Sequence, residues 1–404
     1  MEMSLHGSAP YVILGVSSFL EEYGVLYREL GNTGKQVSII GLGCEHLDGK
    51  PYKQVKETID TALSYGVNIF DVFMPGQEIR RNIAKALGSK RHDVMIQGHI
   101  GATDINQQYD ISRDLPTVKK YFEDLLRIFG GYIDFGMIIY IDSEKDCRSV
   151  FETGFADYVQ WLKKEGYIRH IGFSSHNPDT AIKAIETGLP EMFMFSVNPA
   201  FDMLPSDIYV FDQFDEGFGS ELFRGIDPKR TELYKLCMKK QIGITTMKSL
   251  GGGKLLSPEY TPFETPLTVP QCIHYALSRP TVASVLLGCQ TPDEVEVAMQ
   301  YLRIDEAEKD YSETLSKVRN DFRGNCLYCS HCQPCPAGID IASVIKYLDI
   351  ARLDKTSIPD SIKTQYSSLS QAADKCTGCG ACESRCPFGV QVVDDMKEAT
   401  TLFD

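Results

Sequence analysis

Basic residues are the scarcer charge in this 404-residue chain: 41 Lys and Arg stand against 55 Asp and Glu, a net charge of −14. So acidic a surface offers no electrostatic footprint for nucleic acid or an anionic membrane, and neither is expected as a partner. No apolar run reaches the length of a membrane-crossing helix, which argues against membrane insertion. The apolar piece Ala9–Leu20 has no Lys or Arg in front of it and is followed by Glu21 and Glu22, so it does not read as a signal peptide. Residues 1–24 are expected to be an extension, packed on the following domain or loose. Also missing is a Gly-x-Gly-x-x-Gly that opens a helix after a strand, which argues against a doubly wound dinucleotide fold.

Cysteine, by contrast, is abundant: thirteen residues, eight of them in two runs near the C-terminus. The first run is Cys326-x2-Cys329-x2-Cys332-x2-Cys335-Pro336, and the second is Cys376-x2-Cys379-x2-Cys382-x3-Cys386-Pro387. Thiolates two residues apart can wrap one corner of an iron–sulfur cube, and in two-cluster ferredoxins the Cys-Pro cysteine of one run closes the other cluster. That pattern would assign Cys326, Cys329, Cys332 and Cys386 to one [4Fe–4S] cluster, and Cys376, Cys379, Cys382 and Cys335 to a second. Structural zinc needs only paired CxxC sites and no closing Cys-Pro; disulfides need an oxidising compartment. Two [4Fe–4S] clusters are the expected cofactors, in a reducing cytoplasm and an organism of anaerobic habits. Cys44, Cys147, Cys237, Cys272 and Cys289 fall outside the runs; the last four read as ordinary buried thiols.

Hydrophobic residues at 43% and charged residues at 24% fit a globular protein with a full-sized core. The length suits a barrel of about 250 residues plus a smaller module. A hairpin around Gly31–Gly34 is followed by alternating strand and helix patterns. Strands are expected at Val37–Gly43, Val67–Val72, Asp93–Gln97, Ile133–Tyr140, Ile168–Phe173, Met192–Val197, Ile242–Met247 and Val282–Leu287. The intervening helices include Tyr52–Tyr65, whose Val55, Ile59, Ala62 and Leu63 form one stripe, and a single helix over Ser149–Glu165. Eight such units predict an α/β fold, a (β/α)8 TIM barrel over residues 25–310, followed by a small helical ferredoxin-like domain over 311–404. The long connection Asn198–Asp227 is expected to be a lid or partner-facing loop. In the tail, helices are expected at Ile341–Leu353, Asp360–Ala373 and Val392–Leu402.

The chain resembles the aldo/keto reductase family, in its branch with a C-terminal two-cluster ferredoxin module. The matching pieces are Tyr27-Arg28-x-Leu30-Gly31-x-Thr33-Gly34, Gly66-Val67-Asn68-x-Phe70-Asp71, Ile168-Arg169-x-Ile171-Gly172-Phe173-Ser174-Ser175-His176, Met247-Lys248-x-Leu250-Gly251-Gly252-Gly253, and the tail. The resemblance implies carbonyl reduction with NAD(P)H by an Asp–Tyr–Lys–His tetrad at the C-terminal mouth. In that tetrad Tyr is the acid, Lys and Asp tune it, and His orients the carbonyl. Asp71 matches the aspartate, but Asp71–Gln77 holds no tyrosine, His99 stands where the lysine belongs, and Ile139 where the histidine belongs. Ile139 cannot donate to a developing oxyanion. Standard NADPH-dependent reduction is therefore not expected. Ser174, Ser175, Lys248, Gly251 and Gly252 match the positions that would contact a nicotinamide or a flavin.

Barrel enzymes keep their chemistry at the C-terminal strand ends. There the sequence puts Cys44, Glu45 and His46, then Asp71, His99, Tyr140, Asp142 and His176. Asp71 and His99 form a candidate acid/base couple, since imidazole changes charge near neutrality and a carboxylate can fix its tautomer. Tyr140 and His46 are further catalytic candidates, and Glu45, His46, Asp71 and His99 together are a possible metal set. The expected function is an iron–sulfur oxidoreductase in which two clusters relay electrons to or from a small-molecule substrate or second cofactor in the barrel, exchanging them with a ferredoxin-like protein or larger redox complex. Two other classes fit the same residues: a non-redox lyase or hydrolase with a barrel acid/base or metal site, and a non-catalytic electron-transfer subunit.

Overall fold

The computed structural model describes residues 26–105, 108–208, 223, 225–318 and 324–403. The expected N-terminal extension and half of the connection 198–227 lie outside them. The chain divides after Val318 into two compact units. Residues 311–318 stay with the first because the Tyr311 ring is buried against Tyr275, their centroids 5.2 Å apart.

Two short antiparallel strands open the first unit, β1 (Tyr27–Glu29) and β2 (Gln36–Ser38), pairing Tyr27 with Ser38 and Glu29 with Gln36. The turn between them needs glycine at Gly31, where φ is +55° and an added Cβ would lie 2.2 Å from the Gly243 nitrogen. Eight parallel strands then close a barrel: β3 (Ile40–Gly43), β4 (Ile69–Val72), β5 (Met95–Ile100), β8 (Ile133–Ile138), β9 (Ile168–Ser175), β10 (Met192–Ser196), β11 (Gly243–Met247) and β12 (Val282–Leu287). They pair in that order, and β12 returns to β3 with Val285 opposite Ile40. The predicted (β/α)8 architecture is thus what the chain adopts. Its interior is filled by Ile69, Phe135, Met137, Met192, Met194, Met247 and Leu286. Flexible methionine suits such irregular space. At Gly172 a Cβ would come within 2.5 Å of the Met137 and Met192 sulfurs, so the strand stays bare there.

Local chemistry sets the helix starts. Asn177, Asn198, Asp227 and Thr291 each accept a backbone N–H of the following helix and are each followed by proline, which needs no donor at a first turn. The predicted helix 149–165 is instead two, Glu144–Phe151 and Gly154–Lys164. The Thr153 hydroxyl accepts the Phe155 N–H and starts a second helix where one was expected. A hairpin that the sequence pattern did not suggest, β6 (Ala102–Ile105) and β7 (Gln108–Ile111), follows β5.

A buried ionic knot ties helices to the barrel wall. Asp202 accepts Arg230 Nη1 at 3.0 Å, Tyr234 OH at 2.9 Å and Tyr275 OH at 2.7 Å, while Arg230 also donates to the Ser196 carbonyl at 2.9 Å. Asp202 is fully buried and Arg230 nearly so.

The second unit holds helices Ile341–Ala351, Asp360–Ser367, Ala381–Arg385 and Val392–Phe403. Arg352 braces two of them through Asp395 and Glu398, and Tyr366 stacks on Phe403 with centroids 4.0 Å apart. The helix expected over 360–373 stops at Ser367, and residues 373–375 form a separate short turn.

Removing one member of a buried ion pair strands the other charge, at about 3–5 kcal/mol. Asp202→Ala is expected to lower the unfolding free energy of the barrel by that amount in denaturant titration; a loss below about 1 kcal/mol would contradict the role given to the knot.

Candidate functional site

Inward and outward side chains alternate along each barrel strand, so one core residue fixes the parity of its neighbours. Met95 packs on the interior cluster and so sends Gln97 and His99 inward; Ile69 does the same for Asp71. The β4–β5 register sets Asp71 beside Gln97. His99 Nε2 lies 2.8 Å from Asp71 Oδ1, and Gln97 Nε2 donates to the same oxygen at 3.0 Å. Both partners of the His–Asp pair are withdrawn from solvent, with side-chain exposures of 0% and 5%. The shared oxygen is an acceptor of two N–H groups, so Nε2 carries the imidazole proton. His99 Nδ1 has no hydrogen-bond partner in the structure and is the basic atom of the pair.

A second pair stands at the ends of β8 and β9. His176 Nδ1 lies 2.9 Å from Asp142 Oδ2, while Asp142 Oδ1 accepts the His176 backbone N–H at 2.6 Å and the Ser175 hydroxyl at 3.0 Å. Burial pushes the Asp142 carboxyl up, but His176 and these donors outweigh it and hold it below the usual carboxylate range. Rings connect the two pairs. Phe73 packs edge-on to His99 with centroids 5.2 Å apart, Tyr140 lies 5.6 Å from Phe73, and His176 lies 4.7 Å from Tyr140.

Tyr140 has φ +28°, an unfavourable value for a residue with a side chain. It is gripped on both sides: Arg113 Nη2 donates to the Ile139 and Tyr140 carbonyls at 2.6 and 2.7 Å, and the Tyr140 N–H donates to Ser174 Oγ at 3.1 Å. Burial first, then Tyr109, Glu45, Asp142 and Asp71, push the Tyr140 phenol well above its ordinary pKa. In the family's tetrad a lysine acts on the tyrosine in the opposite sense. Here the Tyr140 phenol is held neutral.

The remaining candidates are placed less centrally. His46 is exposed, and its ring lies where a Cβ on Gly288 would be, 2.3 Å from Cδ2. Glu45 approaches Lys248, Oε2 to Nζ at 3.9 Å. Among the described residues no three His, Cys, Asp or Glu side chains gather to hold one metal ion, so Glu45, His46, Asp71 and His99 do not form the metal set that their strand-end positions suggested. Ser174 and Ser175 are fully buried; the Ser175 hydroxyl is engaged with the Ile141 and Asn177 carbonyls as well as Asp142. Lys248, Gly251 and Gly252 sit in a left-handed turn after β11, φ +59°, +58° and +65°. Ile139 is fully buried.

In the C-terminal unit, Cys335 lines one cavity with Cys376, Cys379 and Cys382, walled by Ile339, Ile341, Val392 and Met396. Cys326 senses Cys329 and Cys332, and Cys332 in turn senses Cys329 and Cys386; burial and these like-charged neighbours push the Cys332 thiol up to about 12. The two runs trace the same turns: φ is +58° and +61° at Tyr328 and Ser330, +67° and +70° at Gly378 and Gly380. The first run accepts that strain without glycine and anchors its loop by Tyr328 OH to Asp349 at 2.8 Å. Arg385 ties the runs together through the Cys332 and Pro334 carbonyls, at 2.6 and 2.8 Å. No disulfide joins any of the thirteen cysteines. Four thiols spread around an apolar-walled cavity fit a cubane, whose corners hold its ligands apart, better than a single ion.

Gln97, Arg113 and the Asp142–His176 contact were not foreseen. The first was readable from its i, i+2 relation to His99. Asp142 and His176 follow neighbouring strands whose register pairs Ile138 with Phe173, which brings them to one height. Arg113 left no signal, because its partners are backbone carbonyls.

Because burial and anionic neighbours raise the Tyr140 phenol, deprotonation is opposed throughout the range in which an ordinary tyrosine stays neutral, up to about pH 10. Spectrophotometric titration of the wild type minus Tyr140→Phe should show no tyrosinate below that pH; a tyrosinate belonging to Tyr140 nearer neutrality would contradict the electrostatics described.

The sequence model of the aldo/keto reductase family matches residues 39–267, more than half of the chain, and that of a 4Fe-4S dicluster domain matches residues 323–390. No curated protein matches. Among solved structures, the holo form of an aldo-keto reductase from Bacillus halodurans aligns with a TM-score of 0.54 at 19% identity, covering 70% of this chain and 94% of that one. A Pseudomonas aeruginosa protein described as an aldo-keto reductase aligns at 0.52 and 18%, covering 69% and 95%. These likenesses speak to the barrel fold. On the extent of the family match, the chain belongs to the aldo/keto reductase family and carries a C-terminal iron–sulfur domain.

Proposed function

We propose that the protein is an iron–sulfur oxidoreductase in which two [4Fe–4S] clusters pass electrons between a one-electron carrier protein and an organic substrate in the barrel. The observation that carries the reading is the cavity lined jointly by Cys335 and the second cysteine run. A thiol borrowed from the other run is what a two-cluster ferredoxin pattern requires and what two independent CxxC zinc sites would not. Cys326, Cys329, Cys332 and Cys386 would hold the other cluster. When bound, the clusters supply one-electron transfer.

The barrel residues handle protons. Asp71 holds the His99 tautomer, Gln97 holds Asp71, and Nδ1 of His99 takes or gives the proton. Tyr140 donates a hydrogen bond to an oxygen of the substrate, and Phe73 with Ile139 excludes water. The terminal acceptor is taken to be the substrate itself rather than a nicotinamide or flavin, since Ser174, Ser175 and Lys248 are engaged within the protein. Ligand thiolates call for a reducing compartment, hence the cytoplasm.

Protein purified without oxygen should contain about eight irons per chain and take up electrons from dithionite. Cys376→Ser combined with Cys379→Ser should abolish part of that uptake with loss of one cluster's signal. Iron-poor, colourless protein with zinc in the tail would refute the reading.

A further inference from the structure

We propose that Arg385 tunes the redox poise of the C-terminal unit: its guanidinium stands between the two cysteine runs as an unpaired cation and raises the reduction potential of both clusters. The inference rests on the iron–sulfur reading above and adds a tuning residue to it.

Three observations converge. The first is position. Arg385 directly precedes Cys386, and its Nη2 donates to the Cys332 carbonyl at 2.6 Å and to the Pro334 carbonyl at 2.8 Å. Cys332 and Cys386 belong to one expected cluster. Pro334 adjoins Cys335, which lines the cavity of the other with Cys376, Cys379 and Cys382. One guanidinium thus holds ligand loops of both. The second is the lack of a counter-charge. Among the described residues no carboxylate forms an ion pair with Arg385, whereas Arg352 in the same unit is matched by Asp349, Asp395 and Glu398. Glu383, two residues away, accepts the Val393 N–H at 2.8 Å instead. The third is an unspent donor: Arg385 Nε is buried and has no hydrogen-bond partner.

A brace between two loops needs only the Nη2 bonds, which a neutral donor could also make. It does not need an unpaired charge with a buried N–H, which is costly unless a negative centre lies close. A cubane ligated by four thiolates is such a centre, net negative when oxidised and more so after it gains one electron. A fixed cation beside it favours the reduced form and moves the potential upward. The charge already registers at one ligand: the Cys379 thiol is held below its ordinary range, first by the Ala381 N–H and among further causes by Arg385. The first run has Pro334 at the corresponding place before its Cys-Pro, so the cation comes from the second run alone and serves both.

The test is a potentiometric titration of the full-length protein, purified without oxygen, with dithionite as reductant and cluster EPR as the readout. Arg385→Gln should keep about eight irons per chain. At a fixed potential it should move each cluster about tenfold toward the oxidised form, a midpoint lower by about 59 mV. Arg385→Lys keeps the charge without the fork and should stay nearer the wild type. A midpoint unchanged at either cluster in Arg385→Gln would overturn the proposal. Equal shifts in the two variants would do so too, since they report a lost brace rather than a lost charge. If Arg385→Gln fails to hold iron, Arg385→Lys decides: midpoints close to wild type support the charge, and lowered midpoints refute it. Loss of iron from both variants would make Arg385 an assembly residue and also overturn the proposal. Wild-type protein without cluster signals would instead overturn the iron–sulfur reading beneath it.

Discussion

Crowding of sulfur is the constraint on which the C-terminal unit depends. Eight cysteines are drawn into about sixty residues, three of them in positions where neighbouring thiols and burial raise the cost of ionisation. As free thiolates they would repel one another; bound to iron they become ligands of a shared charge centre. The backbone is committed to that outcome beforehand, since both runs adopt left-handed turns at matching positions, with Tyr328 and Ser330 doing so without the help of glycine. Cys335 of the first run lines the same cavity as Cys376, Cys379 and Cys382 of the second.

In the barrel the dependence is different. Strand parity sends Gln97 and His99 inward and the register brings Asp71 to them, so the pair is a product of sheet geometry rather than of a loop. The family's tyrosine, lysine and histidine are missing, yet their part of the mouth is still polar and ordered: His99 stands near Asp71, and Asp142 with His176 fills the ends of the next two strands. Buried networks of this kind are stable only when their members are satisfied. Asp71 and Asp142 meet that condition, and Nδ1 of His99 is the nitrogen left without a partner.

Much of this was legible in the sequence. Periodicity located all eight barrel strands, and cysteine spacing marked the iron–sulfur unit before any coordinates. What escaped were interactions made through the backbone or across strands. Thr153 restarts a helix by capping, which a hydrophobic stripe cannot reveal. The hairpin 102–111 carries too little alternation to stand out from a loop. Arg113 is recognised only through the carbonyls it holds, and the four-residue metal set does not gather, since Asp71 pairs with His99 inside the barrel while His46 is exposed and Glu45 approaches Lys248.

The central claim is that thiolates are exchanged between the two cysteine runs. It is tested most directly by substituting the borrowed ligands one at a time, Cys335→Ser and Cys386→Ser, and following the clusters by EPR. On this account Cys335→Ser perturbs the cluster held by Cys376, Cys379 and Cys382, and spares the one held by Cys326, Cys329 and Cys332. Cys386→Ser does the reverse. If each substitution instead perturbs only the cluster of its own run, the ligands are not crossed and the account is wrong.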